Sequence, residues 1–405
     1  MTKGPKRKPL LMYFRMHRSK ALRTLYLAMF LAAIAATAFA TTAPAKHRRR
    51  ARTHTPGLAA ASQASTAATR QSISARVHRG LVVGRKGPWA APTYADSTVG
   101  DRVDGEDLAV RRAAVEALGP YNGTVVAIDA TSGRVLTLVN QKLALAGGFQ
   151  PCSTVKIGVA LASLSEGLID RETPVHLYGR TRMDLTQALA HSNNYYFANL
   201  GIKLGYERWA YYAKSFGLGE KAGLNIDGEE PGYFAAAAPS SGMGMMTSFG
   251  DGIRQTPLEL AALLAAVSNG GTLYYLQYPR NSKEIEQFQP RVKRHLDIAR
   301  FIPQIKPGLA GAVEFGTARR AAYDAEAPVC GKTGTCTGGT AHLGWFGSFN
   351  DFGQSRIVTV VLLTGARGVS GPTASQVTGA IYRKLEQQGY FGHRPVFSPA
   401  VLIPR

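Results

Sequence analysis

The chain has 405 residues, which allows one large domain or two smaller ones with an ample hydrophobic core. Its formal net charge of +22 would suit a nucleic-acid-binding protein, but the charge is unevenly distributed. No Asp or Glu precedes Asp96, whereas eighteen of the 48 Lys and Arg residues do. The other 30 basic residues nearly balance the 26 acidic ones. The basic excess therefore belongs to the N-terminal segment and argues against nucleic-acid binding by the folded part.

The first 95 residues divide into three predicted segments. Residues 1–23 are basic, and we expect them on the cytoplasmic side of a membrane. The uncharged residues 24–45 predict a membrane anchor or a secretory signal. Their length favours a single-pass anchor, while Ala38-Phe39-Ala40 offers a cleavage site that would release the protein after Ala40. Either outcome places the rest of the chain in the periplasm or another extracytoplasmic space.

Residues 46–95 are rich in Ala, Thr, Ser and Arg. Because they hold few large apolar side chains to offset the entropy of ordering, we expect a disordered basic tether. Residues 96–395 are assigned to the folded domain and residues 396–405 to a C-terminal tail.

Within the domain, the sequence predicts strands near both ends and helices between them. A charged helix, GEDLAVRRAAVEALG (105–119), precedes a hairpin in which Thr131-Ser132-Gly133 joins two β-rich runs. Further helices are predicted at 153–166, 184–200, 207–216 and 256–269, strands at 328–336, 341–349 and 356–365, and a closing helix at 374–388. This order predicts one sheet assembled from distant parts of the chain, beside a helical lobe.

Ser153 begins the first of the central helices, in FQPCSTVKIGVALASLSEGL (149–168), and Lys156 lies three residues later on the same face. A serine hydroxyl becomes a nucleophile when a base takes its proton, and a lysine with a lowered pKa can be that base. The helix start also offers backbone N–H groups to developing negative charge. The alternative is an N-cap serine with a surface lysine, because S-x-x-K is expected by chance about once or twice in such a chain.

A second polar element interrupts the helical pattern in MDLTQALAHSNNYYFANLG (183–201). Ser192 could relay a proton to a leaving group, and the Asn194 amide could hold a substrate backbone. The alternative is an ordinary polar break in a helix.

The third element is CGKTGTC (330–336), on a predicted strand. Gly331 and Gly334 would let a substrate backbone approach the strand closely. Lys332 would supply a fixed positive charge, and the threonines on either side of Gly334 can donate hydrogen bonds to a carboxylate.

His191 and His342 are the candidates for a Ser-His-Asp arrangement. Neither histidine accompanies a nucleophile-elbow sequence, so we interpret both as structural.

S-x-x-K, S-x-N and K-T-G in this order resemble the motifs of the penicillin-binding protein transpeptidase domain and of its relatives, the serine β-lactamases. The resemblance covers about residues 104–390. Three longer phrases are typical of the transpeptidase branch, namely LNIDGEEPG (224–232), FGDGIRQTPLELAALLAAVSNGG (249–271) and GLAGAVEFGTARRA (308–321). The resemblance implies an α+β fold, an α/β/α sandwich with a mainly antiparallel sheet and a helical lobe.

The resemblance also implies a role for each motif residue. Ser153 would be the acylated nucleophile, Lys156 its general base and Ser192 a proton shuttle, while Asn194 would contact the substrate. The third-motif residues Lys332, Thr333, Gly334 and Thr335 would bind the terminal carboxylate of the substrate, and the backbone N–H groups of Ser153 and Thr335 would form the oxyanion hole.

The activity implied is acyl transfer from a D-Ala-D-Ala stem peptide of peptidoglycan to an amine, through a serine ester and without a metal or cofactor. β-Lactams would acylate the same serine, and the N-terminal segment would provide a membrane attachment. Two alternatives stay open: a serine β-lactamase or β-lactam sensor, and a non-catalytic cell-wall-binding protein that keeps the fold. We find no assignable E-x-x-x-N deacylation motif after the second element, which argues against the β-lactamase.

The chain has three cysteines, at positions 152, 330 and 336. Cys330 and Cys336 lie about 20 Å apart if their strand is extended, too far to pair. Some class A β-lactamases carry a disulfide at the positions that correspond to Cys152 and Cys336, so the resemblance implies that bridge, with Cys330 free. The alternative is three reduced cysteines packed as small apolar side chains.

Overall fold

The computed structural model describes residues 91–322, 324–338, 341–366 and 368–392. The predicted basic segment (1–23), anchor or signal (24–45) and C-terminal tail (396–405) lie outside the described residues, as does the tether as far as residue 90. Within these ranges no helix combines the length and hydropathy that a membrane crossing requires.

The described residues form eleven strands, eleven α-helices and three short 3-10 helices. The strands are β1 (Gly123–Asp129), β2 (Val135–Val139), β3 (Val175–Tyr178), β4 (Thr181–Met183), β5 (Tyr233–Phe234), β6 (Ile253–Arg254), β7 (Thr272–Tyr274), β8 (Val292–His295), β9 (Val329–Gly338), β10 (Ala341–Asn350) and β11 (Ile357–Gly365). The helices are α1 (Leu108–Leu118), α2 (Gln141–Ala144), α3 (Lys156–Ser165), α4 (Leu185–Ala190), α5 (Asn194–Leu204), α6 (Tyr206–Ser215), α7 (Met243–Phe249), α8 (Pro257–Asn269), α9 (Ser282–Glu286), α10 (Ile302–Glu314) and α11 (Gly371–Gln387). The 3-10 helices are Cys152–Val155, Ala299–Phe301 and Arg319–Ala321.

The main sheet has five strands in the order β2-β1-β11-β10-β9, and every neighbouring pair is antiparallel. The N-terminal hairpin β1–β2 joins the C-terminal strands through β11, where Val126 lies opposite Val360. This confirms the prediction of one antiparallel sheet assembled from distant parts of the chain. Strand β9 lies at an edge, so one side of its backbone is left for other partners.

Alternate residues of the strands enter different cores on the two faces of the sheet, as the two-residue period of a strand requires. Val126 and Ile128 belong to the core that contains α3, α8 and the other helices of the lobe. Val125 and Ala127 belong to the core that contains α1 and α11. The fold is therefore the expected α/β/α sandwich with a helical lobe on one side.

Helix α8 is buried along nearly its whole length and lies against the sheet. It begins with a capping box in which Thr256 and Glu259 satisfy each other's backbone N–H groups. The Glu259 carboxylate also accepts hydrogen bonds from the backbone N–H groups of Gly219 and Gly232. Burial raises the pKa of Glu259 to about 7. One carboxylate thus holds the loop before β5 onto the start of the central helix.

The predicted helix at 184–200 is two helices, α4 and α5, separated by residues 191–193. Ser192 has a positive φ of 55°, and the Asn193 side chain accepts the Tyr196 N–H and so caps α5. Apolar residues are buried on both sides of this cap, so the apolar spacing could not reveal the break.

Two further features differ from the sequence expectation. Helix α10 contains Pro307 in its interior, and it was not predicted because proline removes a backbone hydrogen bond. The folded domain also begins before residue 96: the Thr93 carbonyl accepts the Asn122 N–H, and the Thr93 hydroxyl accepts the Ala366 N–H.

Candidate active site

Ser153 lies in the 3-10 turn that precedes α3, in a half-buried position. The turn is fixed from its start, because both the backbone N–H and the hydroxyl of Thr154 donate to the Pro151 carbonyl. Cys152 has a φ of 53°, a left-handed conformation that is uncommon for residues other than glycine. The residue before Ser153 is therefore held in a strained geometry, as at many functional sites.

Lys156 is the first residue of α3, and its side chain is fully buried. Its Nζ lies 2.8 Å from the Ser192 carbonyl oxygen, 3.2 Å from the Ser192 hydroxyl and 2.6 Å from Oδ1 of Asn194. The first and second motifs are thus joined through one nitrogen. Burial, reinforced by the charge of Lys332, lowers the pKa of Lys156 to about 6. At neutral pH this amine can accept a proton.

The second motif acquires its geometry from the break between α4 and α5. The left-handed conformation of Ser192 turns the chain, so that its carbonyl and hydroxyl both face Lys156. Asn194 follows at the start of α5 and completes the set of acceptors around the amine. The polar interruption is therefore a lysine-binding turn as well as a helix boundary.

The third motif lies on the edge strand β9, against the turn that carries Ser153. A β-carbon added at Gly334 would lie 2.9 Å from the Pro151 carbonyl oxygen and 3.3 Å from Cβ of Cys152. Only glycine allows this approach without displacing one of the two elements. Gly334 thus allows the first and third motifs to pack together. This role is additional to the one expected from the sequence, in which Gly334 lets a substrate backbone approach the strand.

Lys332 is fully buried, and its Nζ donates to the Thr333 carbonyl at 3.1 Å. Burial lowers the pKa of Lys332 to about 7. The sequence suggested a fixed positive charge, whereas the structure places the lysine where its charge depends on pH near neutrality. A carboxylate nearby would favour the charged form.

Both threonine hydroxyls of the third motif form hydrogen bonds with residues that lie outside β9. The Thr333 hydroxyl lies 2.6 Å from that of Thr317, which follows helix α10. The Thr335 hydroxyl accepts the backbone N–H of Gly371, the first residue of α11, at 2.8 Å. Sequence reasoning missed both partners, although Thr317 lies in a phrase that the resemblance had singled out.

A disulfide joins Cys152 and Cys336, whose Cα atoms are 5.6 Å apart, and this is the pairing that the resemblance implies. The bridge links the residue before Ser153 to the residue after Thr335. Cys330 is a buried free thiol whose pKa burial raises to about 12.

The contacts of Lys156 described above include neither histidine. His191 ends α4 and packs against Phe315, with ring centroids 5.6 Å apart. His342 lies on β10, where it pairs with Thr337 on one side and Gly365 on the other.

A groove of about 440 Å³ adjoins the Ser153 turn, and its lining includes Phe149, Gln150 and Arg254.

A family model and several known proteins match most of the described part of this chain. The family model described as "Penicillin binding protein transpeptidase domain" matches residues 123–386. Stage V sporulation protein D of Bacillus subtilis is 29% identical over 226 residues, which cover 49% of this chain and 34% of that protein. The peptidoglycan D,D-transpeptidase MrdA of Haemophilus influenzae is 24% identical over 355 residues, covering 66% of this chain and 54% of that protein.

The chain thus spans about a third to a half of the length of these two relatives. Among solved structures, the D,D-transpeptidase domain of a peptidoglycan glycosyltransferase from Eggerthella lenta matches with a TM-score of 0.55. It is 18% identical and covers 70% of this chain and 82% of that one, a likeness that concerns the fold. Since the family model spans more than half of the residues, the chain belongs to the penicillin-binding protein transpeptidase domain family.

Proposed function

We propose that this protein is a D,D-transpeptidase that acts on peptidoglycan stem peptides through an acyl-enzyme on Ser153. One arrangement carries the proposal. The buried amine of Lys156 follows the Ser153 turn directly and binds Ser192 and Asn194, opposite the Lys332–Thr335 strand. The relatives of this chain include peptidoglycan D,D-transpeptidases, which supports the same activity.

In the acylation step, the Ser153 oxygen forms a bond to the carbonyl carbon of the penultimate D-Ala. The bond from that carbon to the nitrogen of the terminal D-Ala breaks, and the terminal residue leaves as an amine. The Ser153 proton passes to neutral Lys156 and then through the Ser192 hydroxyl to the departing nitrogen. The 3.2 Å separation of Lys156 Nζ and Ser192 Oγ supports this route.

In the second step, an acceptor amine attacks the ester. A new carbon–nitrogen bond forms, the bond to the Ser153 oxygen breaks, and the amine proton returns along the same path to Ser153. Developing negative charge on the carbonyl oxygen would be stabilised by the backbone N–H groups of Ser153 and Thr335, which belong to two elements in contact.

The substrate's terminal carboxylate would bind along β9. Lys332 would provide positive charge there, and the exposed Thr335 and the hydroxyl of Thr333 would donate hydrogen bonds. Asn194 would contact the substrate backbone through its amide nitrogen while its oxygen accepts from Lys156.

We further propose that the domain works outside the cytoplasm, attached through residues 24–45 or released by cleavage after Ala40. The basic flank and uncharged run of the N-terminal segment support export. The Cys152–Cys336 disulfide supports it independently, because disulfides persist in oxidising compartments.

Covalent labelling with a fluorescent penicillin tests the proposal, with wild-type protein and Ser153→Ala compared on denaturing gels. We expect stoichiometric label on the wild type and none on the alanine variant, whose circular dichroism should match the wild type. Stoichiometric label on Ser153→Ala would overturn the assignment of the nucleophile.

A chromogenic cephalosporin assay on the same preparation separates the alternatives. Lasting label with little turnover fits a transpeptidase, whereas rapid steady-state hydrolysis would identify a β-lactamase. A folded wild type that takes no label would identify a binding protein. Release of D-Ala from a stem pentapeptide, with and without an added amine, then measures hydrolysis against transfer.

A further inference from the structure

The segment after α10 connects the second and third motifs. A β-carbon added at Gly316 would lie 2.1 Å from the Ala190 carbonyl oxygen, so the segment passes directly against the end of α4. The next residue, Thr317, donates its backbone N–H to that same carbonyl at 3.0 Å. Ala190 is two residues before Ser192, so the backbone of Thr317 is fixed to the second motif.

The side chain of Thr317 reaches the third motif. Its hydroxyl oxygen lies 2.6 Å from the Thr333 hydroxyl oxygen, a direct hydrogen bond in which either group can be the donor. Thr333 is buried, at 4% exposure, whereas Thr317 is half-buried. Thr317 is thus hydrogen-bonded both to the backbone that leads to Ser192 and to the Thr333 side chain on β9.

The direction of this hydrogen bond decides what Thr333 can offer a substrate. A hydroxyl has one proton, and a carboxylate only accepts hydrogen bonds. If Thr333 donates its proton to Thr317, none remains for a carboxylate. If Thr317 is the donor, the Thr333 proton is available, and its oxygen is still satisfied.

We propose that Thr317 is a positioning residue that donates its hydroxyl proton to Thr333 and so directs the Thr333 hydroxyl toward the carboxylate of the bound acyl donor. The inference rests on the proposed function, since it concerns how that site selects donors with a free carboxylate. Thr317 itself touches neither Ser153 nor the reacting carbonyl in this scheme.

The test compares benzylpenicillin with its methyl ester, which lacks the carboxylate charge. The second-order acylation rate constant is measured for both compounds, and their ratio defines the carboxylate discrimination. Thr317→Val removes the hydroxyl at nearly constant volume, and Thr317→Ser keeps it. Thr337→Val, at an exposed position further along β9, is the matched control.

We expect Thr317→Val to reduce the carboxylate discrimination by about tenfold, because the Thr333 hydroxyl is no longer oriented and its hydrogen bond to the charged carboxylate weakens. Thr317→Ser should recover most of it, and Thr337→Val should not change it. In a Thr333→Val background, Thr317→Val should cause no further loss, because its effect passes through the missing hydroxyl.

Equal slowing with both compounds, or a loss that adds fully to that of Thr333→Val, would show that Thr317 has only a structural role and would overturn the inference. Unchanged discrimination in Thr317→Val would overturn it as well. A folded wild type that neither compound acylates would instead overturn the proposed function, and with it this inference.

Discussion

Lys156 Nζ lies 2.6 Å from Oδ1 of Asn194, so the amide of the second motif binds the amine of the first motif directly. The amide oxygen is a neutral acceptor, which lets Lys156 lose its proton without leaving a buried charge unpaired. Burial and the nearby charge of Lys332 lower the pKa of Lys156 to about 6. The neutrality of residue 194 is therefore part of what makes Lys156 a base.

Asn194→Asp should convert this base into a protonated lysine at neutral pH. A carboxylate at the same place favours the charged ammonium, so the pKa of Lys156 should rise above about 6. At pH 7 we expect penicillin acylation to slow by about twofold to a hundredfold, since an adjacent carboxylate raises the pKa of a lysine by about one to three. The pH profile of the acylation rate constant measures this.

The matched control is Asn193→Asp, which places the same charge one residue away at the cap of α5, where aspartate is a good N-cap. Its profile should stay close to that of the wild type. If the rate of Asn194→Asp relative to wild type does not recover as the pH rises, the loss comes from substrate contact and not from the charge on Lys156.

Lys332 should give the wild-type pH profile a second limb. Acylation by benzylpenicillin requires neutral Lys156, so it should rise through about pH 6. It should fall through about pH 7 as Lys332 loses the charge that attracts the carboxylate. Stopped-flow acylation between pH 5 and 9 checks this bell shape.

Lys332→Met should lower the acylation rate and remove the falling limb. It should also move the rising limb to higher pH, because the Lys332 charge is one of the causes that lower the pKa of Lys156. Lys203→Met, on an exposed face of α5, is the control. An unmoved rising limb in Lys332→Met would mean that the two lysines do not interact.

The sequence predicted strands and helices correctly wherever a run of apolar residues, or a regular apolar spacing, extended over many residues. The buried runs of β1, β10 and β11 and the apolar helix α8 are examples. It failed at the Ser192 turn, because an N-cap at Asn193 and a positive φ at Ser192 restart a helix whose apolar spacing continues on both sides. It also failed at α10, where tertiary packing overrides the cost of Pro307.

At the site, the sequence motifs identified the functional residues but not the contacts that fix the positions of their side chains. The spacing of Ser153 and Lys156 follows from one helical turn, yet the burial that lowers the pKa of Lys332 depends on the assembled fold. The Thr317 and Gly371 contacts join residues 16 and 36 positions apart in sequence. Such contacts follow from how α10 and α11 pack on β9, which no local pattern records.

The Cys152–Cys336 bridge should stabilise the domain. It closes a loop with a sequence separation of 184 residues, for which the chain-entropy model gives about 5 kcal/mol. Strain usually reduces that value, so Cys336→Ser should lower the free energy of unfolding by about 2–5 kcal/mol. Urea unfolding of the oxidised proteins measures the difference.

The control for the bridge is Cys330→Ala, which removes a buried thiol and leaves the disulfide intact, with an expected loss of about 1 kcal/mol. Mass spectrometry of non-reduced peptides should find one linked pair that joins Cys152 to Cys336. The Cys330 thiol, with its raised pKa, should resist maleimide until the protein unfolds. Three free thiols in native protein from an oxidising compartment would contradict the bridge.

Gly334→Ala should separate the nucleophile turn from the carboxylate-binding strand. The added β-carbon would meet the Pro151 carbonyl oxygen at 2.9 Å and Cβ of Trp345 at 3.2 Å, so β9 or the turn must shift by a few tenths of an ångström. Because catalytic geometry tolerates such displacements poorly, we expect penicillin acylation to slow by at least about tenfold. Thr337→Ala, exposed on the same strand, controls for substitution in β9 and should acylate at the wild-type rate. A Gly334→Ala protein that is as stable as the wild type and labels as fast would show that the contact between these two elements does not set the position of Ser153.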